Sequence, residues 1–102
     1  MKLKDRVAII TGAGRNIGEE AAKLFASEGA KICIVDMDRG RGEKVVSDLK
    51  SAGHEAIYAK CNVANTEEVK AMVQATVDAF GGIDILVNNA AITDHDTIFS
   101  IS

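Results

Sequence analysis

The sequence predicts an α/β fold, half of a doubly wound sheet, with four parallel strands in the order 3-2-1-4 and three helices. Three observations lead to this prediction. Short apolar runs alternate with segments of helical period between residues 7 and 87. Glycine follows each helical segment, and the chain has no proline. Strands that alternate with helices pair in parallel through right-handed crossovers.

Each predicted strand is a continuous apolar run, which is typical of a strand covered on both faces. The four runs lie at 7–10, 31–35, 56–61 and 83–87. The helices are predicted at 17–28, 41–52 and 66–80, the first two on one face of the sheet and the third on the other. Asn65 is the predicted N-cap of the third helix, and Glu68 three positions later completes the pattern of a capping box.

The predicted strand order leaves one edge of the fourth strand without a neighbour. This edge is lined by Ile85 and Val87. Unpaired strand edges and uncovered helix faces promote association between copies of a chain. We therefore expect self-association through the bare edge of strand four or through uncovered helix faces.

Composition excludes several classes of function. A length of 102 residues corresponds to about one domain, and 47% hydrophobic residues with 26% charged residues indicate a folded protein. The net charge is −3 without a basic block, which argues against binding to nucleic acid or to a membrane surface. No apolar run is long enough for a membrane span or a secretory signal. Two isolated cysteines, Cys33 and Cys61, are typical of buried thiols in a reduced, cytoplasmic protein.

The turn after the first predicted strand carries a pattern of glycines. Residues 11–18 read Thr-Gly-Ala-Gly-Arg-Asn-Ile-Gly, between an apolar strand and an amphipathic helix. Glycines allow a tight turn and close approach of a pyrophosphate, which the free N–H groups of the helix start attract. An ordinary strand-to-helix turn is the alternative, but this position favours a phosphate site. The candidate binding residues are Gly12, Arg15, Asn16, Ile17 and Gly18.

Asp36 ends the second predicted strand, 18 positions after Gly18. A carboxylate that binds the adenine ribose is expected at a spacing of about 20. Such a carboxylate accepts hydrogen bonds from both ribose hydroxyls and repels a 2′-phosphate, which favours NAD over NADP. NADP is the alternative, because Arg15 or Arg39 can hold a 2′-phosphate. Without a ligand, Asp36 would be a solvated turn carboxylate, as the sequence predicts for Asp38.

These residues resemble the N-terminal part of a short-chain dehydrogenase/reductase, nearest to the 3-oxoacyl-carrier-protein reductases. The family motif is Thr-Gly-x-x-x-Gly-x-Gly. Thr11, Gly12 and Gly18 match it, while Asn16 stands in place of the middle glycine. Asparagine tolerates a positive φ better than most residues, so the turn can persist. The resemblance covers the whole chain and implies a Rossmann fold with a nicotinamide cofactor, in an enzyme that interconverts carbonyls and secondary alcohols.

The resemblance also implies binding roles for two later segments. Asn62-Val63 stands where the family has Asp-Val, which reads the adenine edge through its side chain and the next N–H. The amide oxygen of Asn62 can accept from the adenine amino group. Asn88-Asn89-Ala90-Ala91 stands where the family has Asn-Asn-Ala-Gly, against the nicotinamide-side ribose. The candidate residues of these segments are Asn62, Val63, Asn88 and Ala90.

The catalytic residues that the resemblance implies are a serine, a Tyr-x-x-x-Lys pair and an assisting asparagine. The single tyrosine, Tyr58, lies in a predicted strand, and Asn62 rather than lysine follows it by four positions. We therefore expect residues 1–102 to form a single incomplete dinucleotide-binding domain without catalytic residues and without activity on its own. A stand-alone dinucleotide-binding or assembly module, or one half of a split reductase, are the alternatives.

A metal site is not predicted. His95 lies between Asp94 and Asp96, and this trio can in principle hold a metal. Exposed loop carboxylates around a histidine more often only solvate it.

Overall fold

A computed structural model describes residues 3–12, 16–62, 64–88 and 98–101 of the chain. These residues form three helices and five strands that alternate as predicted up to the fourth strand. In chain order they are β1 (Val7–Thr11), α1 (Asn16–Ser27), β2 (Lys31–Val35), α2 (Arg39–Ser51), β3 (Ala56–Ala59), α3 (Thr66–Phe80), β4 (Ile85–Asn88) and β5 (Ile98–Ile101).

The strands form one sheet in the order β3-β2-β1-β4-β5. The first four strands are parallel, which confirms the predicted order 3-2-1-4. Thr11 lies opposite Val35, and Ile10 lies opposite Val87. These pairs place the carboxyl ends of β1, β2 and β4 at the same edge of the sheet.

The prediction that one edge of β4 has no neighbour is wrong. Residues 98–101 form β5, which pairs antiparallel with β4 from Ile85 opposite Ile101 to Asn88 opposite Ile98. This pairing satisfies the backbone groups at the edge of β4 that would otherwise be left open. The four residues Ile-Phe-Ser-Ile are too few to distinguish a strand from other structure by periodicity, which explains why the sequence did not reveal it.

The helices cover the two faces of the sheet as predicted. On one face, Ala22 and Ala26 of α1 and Leu49 of α2 pack on alternate strand residues such as Ile10 and Ile34. On the other face, Met72 of α3 packs with the remaining strand residues, namely Ile9, Cys33 and Val35, together with Cys61. β1 and β2 are therefore buried on both sides, as their continuous apolar sequence predicts.

The start of α3 contains the predicted N-cap, but the capping box is altered. The side chain of Asn65 accepts from the backbone N–H of Glu68 at 3.1 Å. The carboxylate of Glu68 accepts from the backbone N–H of Asn62, at 2.9 Å, rather than from that of Asn65. The backbone N–H of Asn65 instead donates to the carbonyl of Asn62. Glu68 thus stabilises the loop before α3 as well as its first turn.

Replacing Asn65 with alanine is expected to lower the free energy of unfolding by about 1 kcal/mol, because the N–H of Glu68 loses its acceptor. Chemical denaturation measures the difference. Asn65→Asp retains an acceptor and is the matched control, with a change close to zero. An equal loss in both variants would contradict the capping role.

The start of α2 differs from its prediction by two residues. The helix begins at Arg39, and Asp38 is its N-cap, whose side chain accepts from the N–H of Arg41 at 3.1 Å. The prediction that Asp38 is only a solvated turn carboxylate is therefore wrong. A carboxylate at this position is stabilised by the free N–H groups and the dipole of the helix.

Among the described residues, no helix combines the length and the apolar composition that crossing a membrane would require.

Candidate dinucleotide-binding site

The predicted binding residues follow the carboxyl ends of four parallel strands. Gly12 follows β1, Asp36 follows β2, Asn62 comes shortly after β3, and Asn88 ends β4. The pairing of Thr11 with Val35 makes Gly12 and Asp36 neighbours along the edge. The structure therefore brings together positions that lie far apart in the sequence.

The sheet has a topological switch point between β1 and β4. The connection from β1 leads to α1 on one face, whereas α3, which leads to β4, lies on the other face. Open α/β sheets bind ligands in the crevice outside the carboxyl ends of the strands at such a point. The crevice between β1 and β4 is therefore the place where a ligand is expected.

Side chains hold the junction between β1 and β4 at both ends. At the amino end, the carboxylate of Asp84 accepts from the N–H of Val7, and the N–H of Asp84 donates to the carbonyl of Val7, both at 2.9 Å. At the carboxyl end, the buried hydroxyl of Thr11 donates to the carbonyl of Val87 at 3.3 Å. These bonds fix the relative position of the two strands that border the crevice.

The first glycine of the turn has a backbone conformation that suits a tight turn. Gly12 has a φ of +65°, a conformation that favours glycine, directly after the buried Thr11. The helix α1 begins at Asn16, so its free N–H groups face the turn. Gly18 is buried, whereas Ile17 is 66% exposed at the start of the helix. Arg15 lies outside the described residues.

Asp36 is held in place at the end of β2. Its residue surface is only 5% exposed, and its Oδ1 atom accepts from the backbone N–H of Asp38 at 2.8 Å. The backbone N–H of Asp38 thus fixes the carboxylate at the carboxyl end of β2.

The side chain of Asn62 already has a partner within its loop. Its amide oxygen accepts from the N–H of Ala64 at 2.9 Å. An amide oxygen has two lone pairs, and Asn62 is exposed, so a second bond to an adenine amino group is compatible with this arrangement. Val63 and Ala90 lie outside the described residues, and Asn88 is placed here only by its backbone at the end of β4.

Sequence reasoning missed the part that Tyr58 plays beside the site. As predicted, Tyr58 lies in a strand and packs against the core. Its hydroxyl donates to the backbone carbonyl of Asp36 at 2.6 Å. The ring lies where a side chain at Gly42 would be, because a Cβ atom there would come within 2.5 Å of Cδ1 of Tyr58. The available signal in the sequence was a glycine, Gly42, inside the predicted second helix.

Burial raises the pKa of the Tyr58 phenol above its ordinary value of 10.0, and the nearby Arg39 guanidinium partly opposes this shift. The folded pKa lies above the unfolded one, so the neutral phenol favours folding. This contribution is complete below about pH 10 and is lost as the pH rises through the folded pKa.

We expect the midpoint of the phenolate absorbance to lie above pH 10.0 in the folded chain and close to pH 10.0 in denaturant. The signal is unambiguous because the chain has one tyrosine and no tryptophan. Equal midpoints would contradict this expectation.

Two thiols lie behind the site in the core on the α3 face of the sheet. Cys33 and Cys61 are both free and buried. Burial raises the pKa of each thiol, although a hydrogen bond with Thr76 partly opposes the shift at Cys33. Thiols of this kind are poor nucleophiles and poor metal ligands. No group of three or more metal-ligating side chains occurs in the described ranges, and the trio around His95 lies outside them.

Comparison with known proteins finds matches to dehydrogenases along almost the whole chain. The family model described as short chain dehydrogenase matches residues 6–102. Galactitol 2-dehydrogenase from Agrobacterium fabrum is 44% identical over 102 residues, which are 100% of this chain and 39% of that protein. An uncharacterized oxidoreductase from Thermotoga maritima is 40% identical over 95% of this chain and 38% of its own length. The chain thus spans less than two fifths of the length of these relatives.

Solved structures show the same fold. The hydroxysteroid dehydrogenase from Escherichia coli superposes with a TM-score of 0.85 and is 35% identical, covering 89% of this chain and 39% of that structure. A short chain dehydrogenase/reductase from Burkholderia phymatum, in complex with NAD, has a TM-score of 0.81 and 36% identity. This second match covers 84% of this chain and 31% of the other chain.

Proposed function

Because the chain belongs to the short-chain dehydrogenase family, we propose that it binds a nicotinamide dinucleotide at the carboxyl edge of its sheet. It would be a single, incomplete domain, the N-terminal cofactor-binding part of an enzyme that interconverts carbonyls and secondary alcohols. One observation carries the proposal. The positive φ of Gly12 and the start of α1 lie beside the carboxylate of Asp36, across the pairing of β1 with β2. A structural relative in complex with NAD supports it.

The residues fit the separate parts of such a cofactor. The backbone at Gly12 and the free N–H groups of α1 would hold the pyrophosphate. Asp36 would accept from the hydroxyls of the adenine ribose, and Asn62 would receive the adenine amino group. The backbone of Asn88 borders the crevice where the nicotinamide ribose would lie. The bound nicotinamide supplies the hydride chemistry.

We infer a preference for NAD over NADP. The nearly buried carboxylate of Asp36 stands at the end of β2, where a 2′-phosphate would meet a like charge. Desolvation of both groups at this edge makes the repulsion stronger than in water.

We also infer that the chain alone does not transfer hydride. The hydroxyl of its single tyrosine donates to the carbonyl of Asp36, at the end of β2 where the adenine ribose would lie, and Asn62 stands four positions later. Tyr58 therefore occupies a structural position instead of one that could protonate a substrate carbonyl. Turnover of a ketone by the purified chain with NADH would contradict this inference.

Calorimetric titration of the chain with NADH tests the proposed binding. We expect saturable binding in the micromolar range for the wild type. Gly12→Ala should abolish it, because the added side chain strains a positive φ and lies where the pyrophosphate must approach. Gly81→Ala is the matched control, since Gly81 also has a positive φ but precedes β4 at the opposite edge, with open space around it. Absence of binding by the wild type, or equal loss in both variants, would overturn the proposal.

We infer self-association of the chain through an apolar patch on the α3 side. Val73 and Val77 of α3 and Leu86 of β4 are each 37% exposed. Leu86 pairs with Ile9 and shares its face of the sheet, so it lies on the side that α3 covers only in part. A second copy would bury these side chains. Light scattering should give a mass above one chain that falls in Val77→Lys and not in Ala79→Lys; a monomeric wild type would contradict the inference.

The state of the two cysteines gives an indication of the cellular compartment of the protein. Cys33 and Cys61 are free and buried in this fold, which is the usual state of cysteines in the reducing cytoplasm. We therefore infer a cytoplasmic location, which fluorescence microscopy of a tagged chain tests. Fluorescence from an oxidising compartment would contradict it.

A further inference from the structure

Tyr58 connects β3 to the loop between β2 and α2. It lies opposite Ile34 in the sheet, and its hydroxyl reaches forward to donate to the carbonyl of Asp36 at 2.6 Å. The same ring fills the space above Gly42, where even a Cβ atom would overlap it. The side chain therefore fixes the backbone of Asp36 and the first turns of α2 at once.

The ring of Tyr58 also contacts a cation at the start of α2. The guanidinium carbon of Arg39 lies 5.4 Å from the centroid of the ring. Nη1 of Arg39 is 3.1 Å from Oε2 of Glu43, one helical turn further on. The guanidinium is thus engaged by an aromatic face and a carboxylate on α2. To contact a 2′-phosphate beside Asp36, it would have to leave both partners.

We propose that Tyr58 is a specificity-determining positioning residue, which holds Asp36 toward the adenine ribose and keeps the guanidinium of Arg39 over its own ring. This inference rests on the proposed dinucleotide binding and deepens it. With Tyr58 in place, an incoming cofactor meets the carboxylate of Asp36, and NAD is favoured. Without the ring, only the exposed ion pair with Glu43 restrains Arg39, so the guanidinium turns more readily toward the ribose and pairs with a 2′-phosphate.

The two contacts of Tyr58 have separable effects. Tyr58→Phe removes only the hydrogen bond to Asp36, and it should weaken NAD binding about three- to tenfold, with a smaller loss for NADP because a loosened carboxylate also repels a 2′-phosphate less. Tyr58→Leu also removes the aromatic face, and compared with Tyr58→Phe it should raise the ratio of NADP to NAD affinity about three- to tenfold. The rise should disappear when Arg39→Gln is present as well, because no guanidinium is left to respond.

The experiment is calorimetric titration of the 102-residue chain and its variants with NAD and with NADP. Ile57→Ala is the matched structural control. It shortens a half-buried neighbour on the opposite face of β3, so it should lower stability without changing the ratio. A second readout uses no dinucleotide. Arg39 lowers the pKa of Tyr58, so Arg39→Gln should move the phenolate titration to higher pH.

The outcomes separate this inference from the proposed function. If the wild type binds neither dinucleotide, the proposed function fails, and this inference fails with it. If the wild type binds NAD but Tyr58→Leu leaves the ratio as it is in Tyr58→Phe, or Arg39→Gln does not abolish the change, only the inference is overturned. Should Tyr58→Leu fail to fold, two results still decide the matter. They are the weaker NAD binding of Tyr58→Phe and the shifted titration of Arg39→Gln, and absence of either would overturn the inference.

Discussion

Replacing Leu49 with alanine is expected to lower the free energy of unfolding by about 2–5 kcal/mol. Leu49 on α2 is 2% exposed and packs into the core between the sheet and the helices α1 and α2. The cost combines the lost transfer of the side chain with the cavity that remains. Because a domain is stable by only about 5–15 kcal/mol, a large part of the total would be lost. Urea denaturation followed by circular dichroism measures it.

Leu24→Ala is the matched control for this substitution. Leu24 lies in α1, in a helix on the same face of the sheet, but it is 59% exposed. Since the intrinsic helix propensities change equally, the difference between the two variants isolates burial. We expect a change within about 0.5 kcal/mol for Leu24→Ala. Similar losses in both variants would show that the core is not packed as described.

Replacing Asp36 with alanine is expected to weaken NAD binding about 10- to 100-fold, with a smaller loss for NADP. Hydrogen bonds to a charged group contribute about 1.5–3 kcal/mol each, and every 1.4 kcal/mol corresponds to a factor of ten in affinity. NADP loses less because the same substitution removes the charge that repels its 2′-phosphate. Calorimetric titration of both cofactors measures the two changes.

Two further variants show whether the effect belongs to the ribose carboxylate. Asp36→Asn retains an acceptor for the N–H of Asp38 and removes only the charge, so it should preserve more NAD affinity than the alanine variant. Asp78→Ala removes an exposed carboxylate of α3, on the opposite face of the sheet from α2, and should leave both affinities unchanged. An Asp36→Ala variant that binds NAD like the wild type would place the ribose elsewhere.

The parallel part of the fold could be predicted because both faces of the strands are covered. Ile9 packs toward α3 while Ile10 packs toward α1 and α2, so both positions must be apolar, and the run is visible in the sequence. The fifth strand could not be predicted in the same way. Its antiparallel pairing with β4 depends on a distant partner rather than on a periodic pattern of its own.

The candidate site shows the same division between local and tertiary information. Gly12 and Asp36 follow from local patterns, a glycine turn and a carboxylate at the end of a strand. The hydrogen bond from Tyr58 to the carbonyl of Asp36 spans 22 positions and depends on the register between β2 and β3. The hydrogen bond from the N–H of Asn62 to the carboxylate of Glu68 likewise depends on the path of the loop before α3, which the sequence does not show. Such tertiary contacts leave little trace in a single sequence.

The bonds that join β1 to β4 have a consequence for the order of folding. Thr11 and Val87 are separated by 76 positions, whereas β1, β2 and β3 are successive strands. Closing so long a loop costs more chain entropy, so we expect the first three strands to assemble before β4 docks. The crevice at this junction then exists only in the completed sheet. A bound dinucleotide would therefore slow amide hydrogen exchange most strongly in β4, which joins the sheet only after β1, β2 and β3.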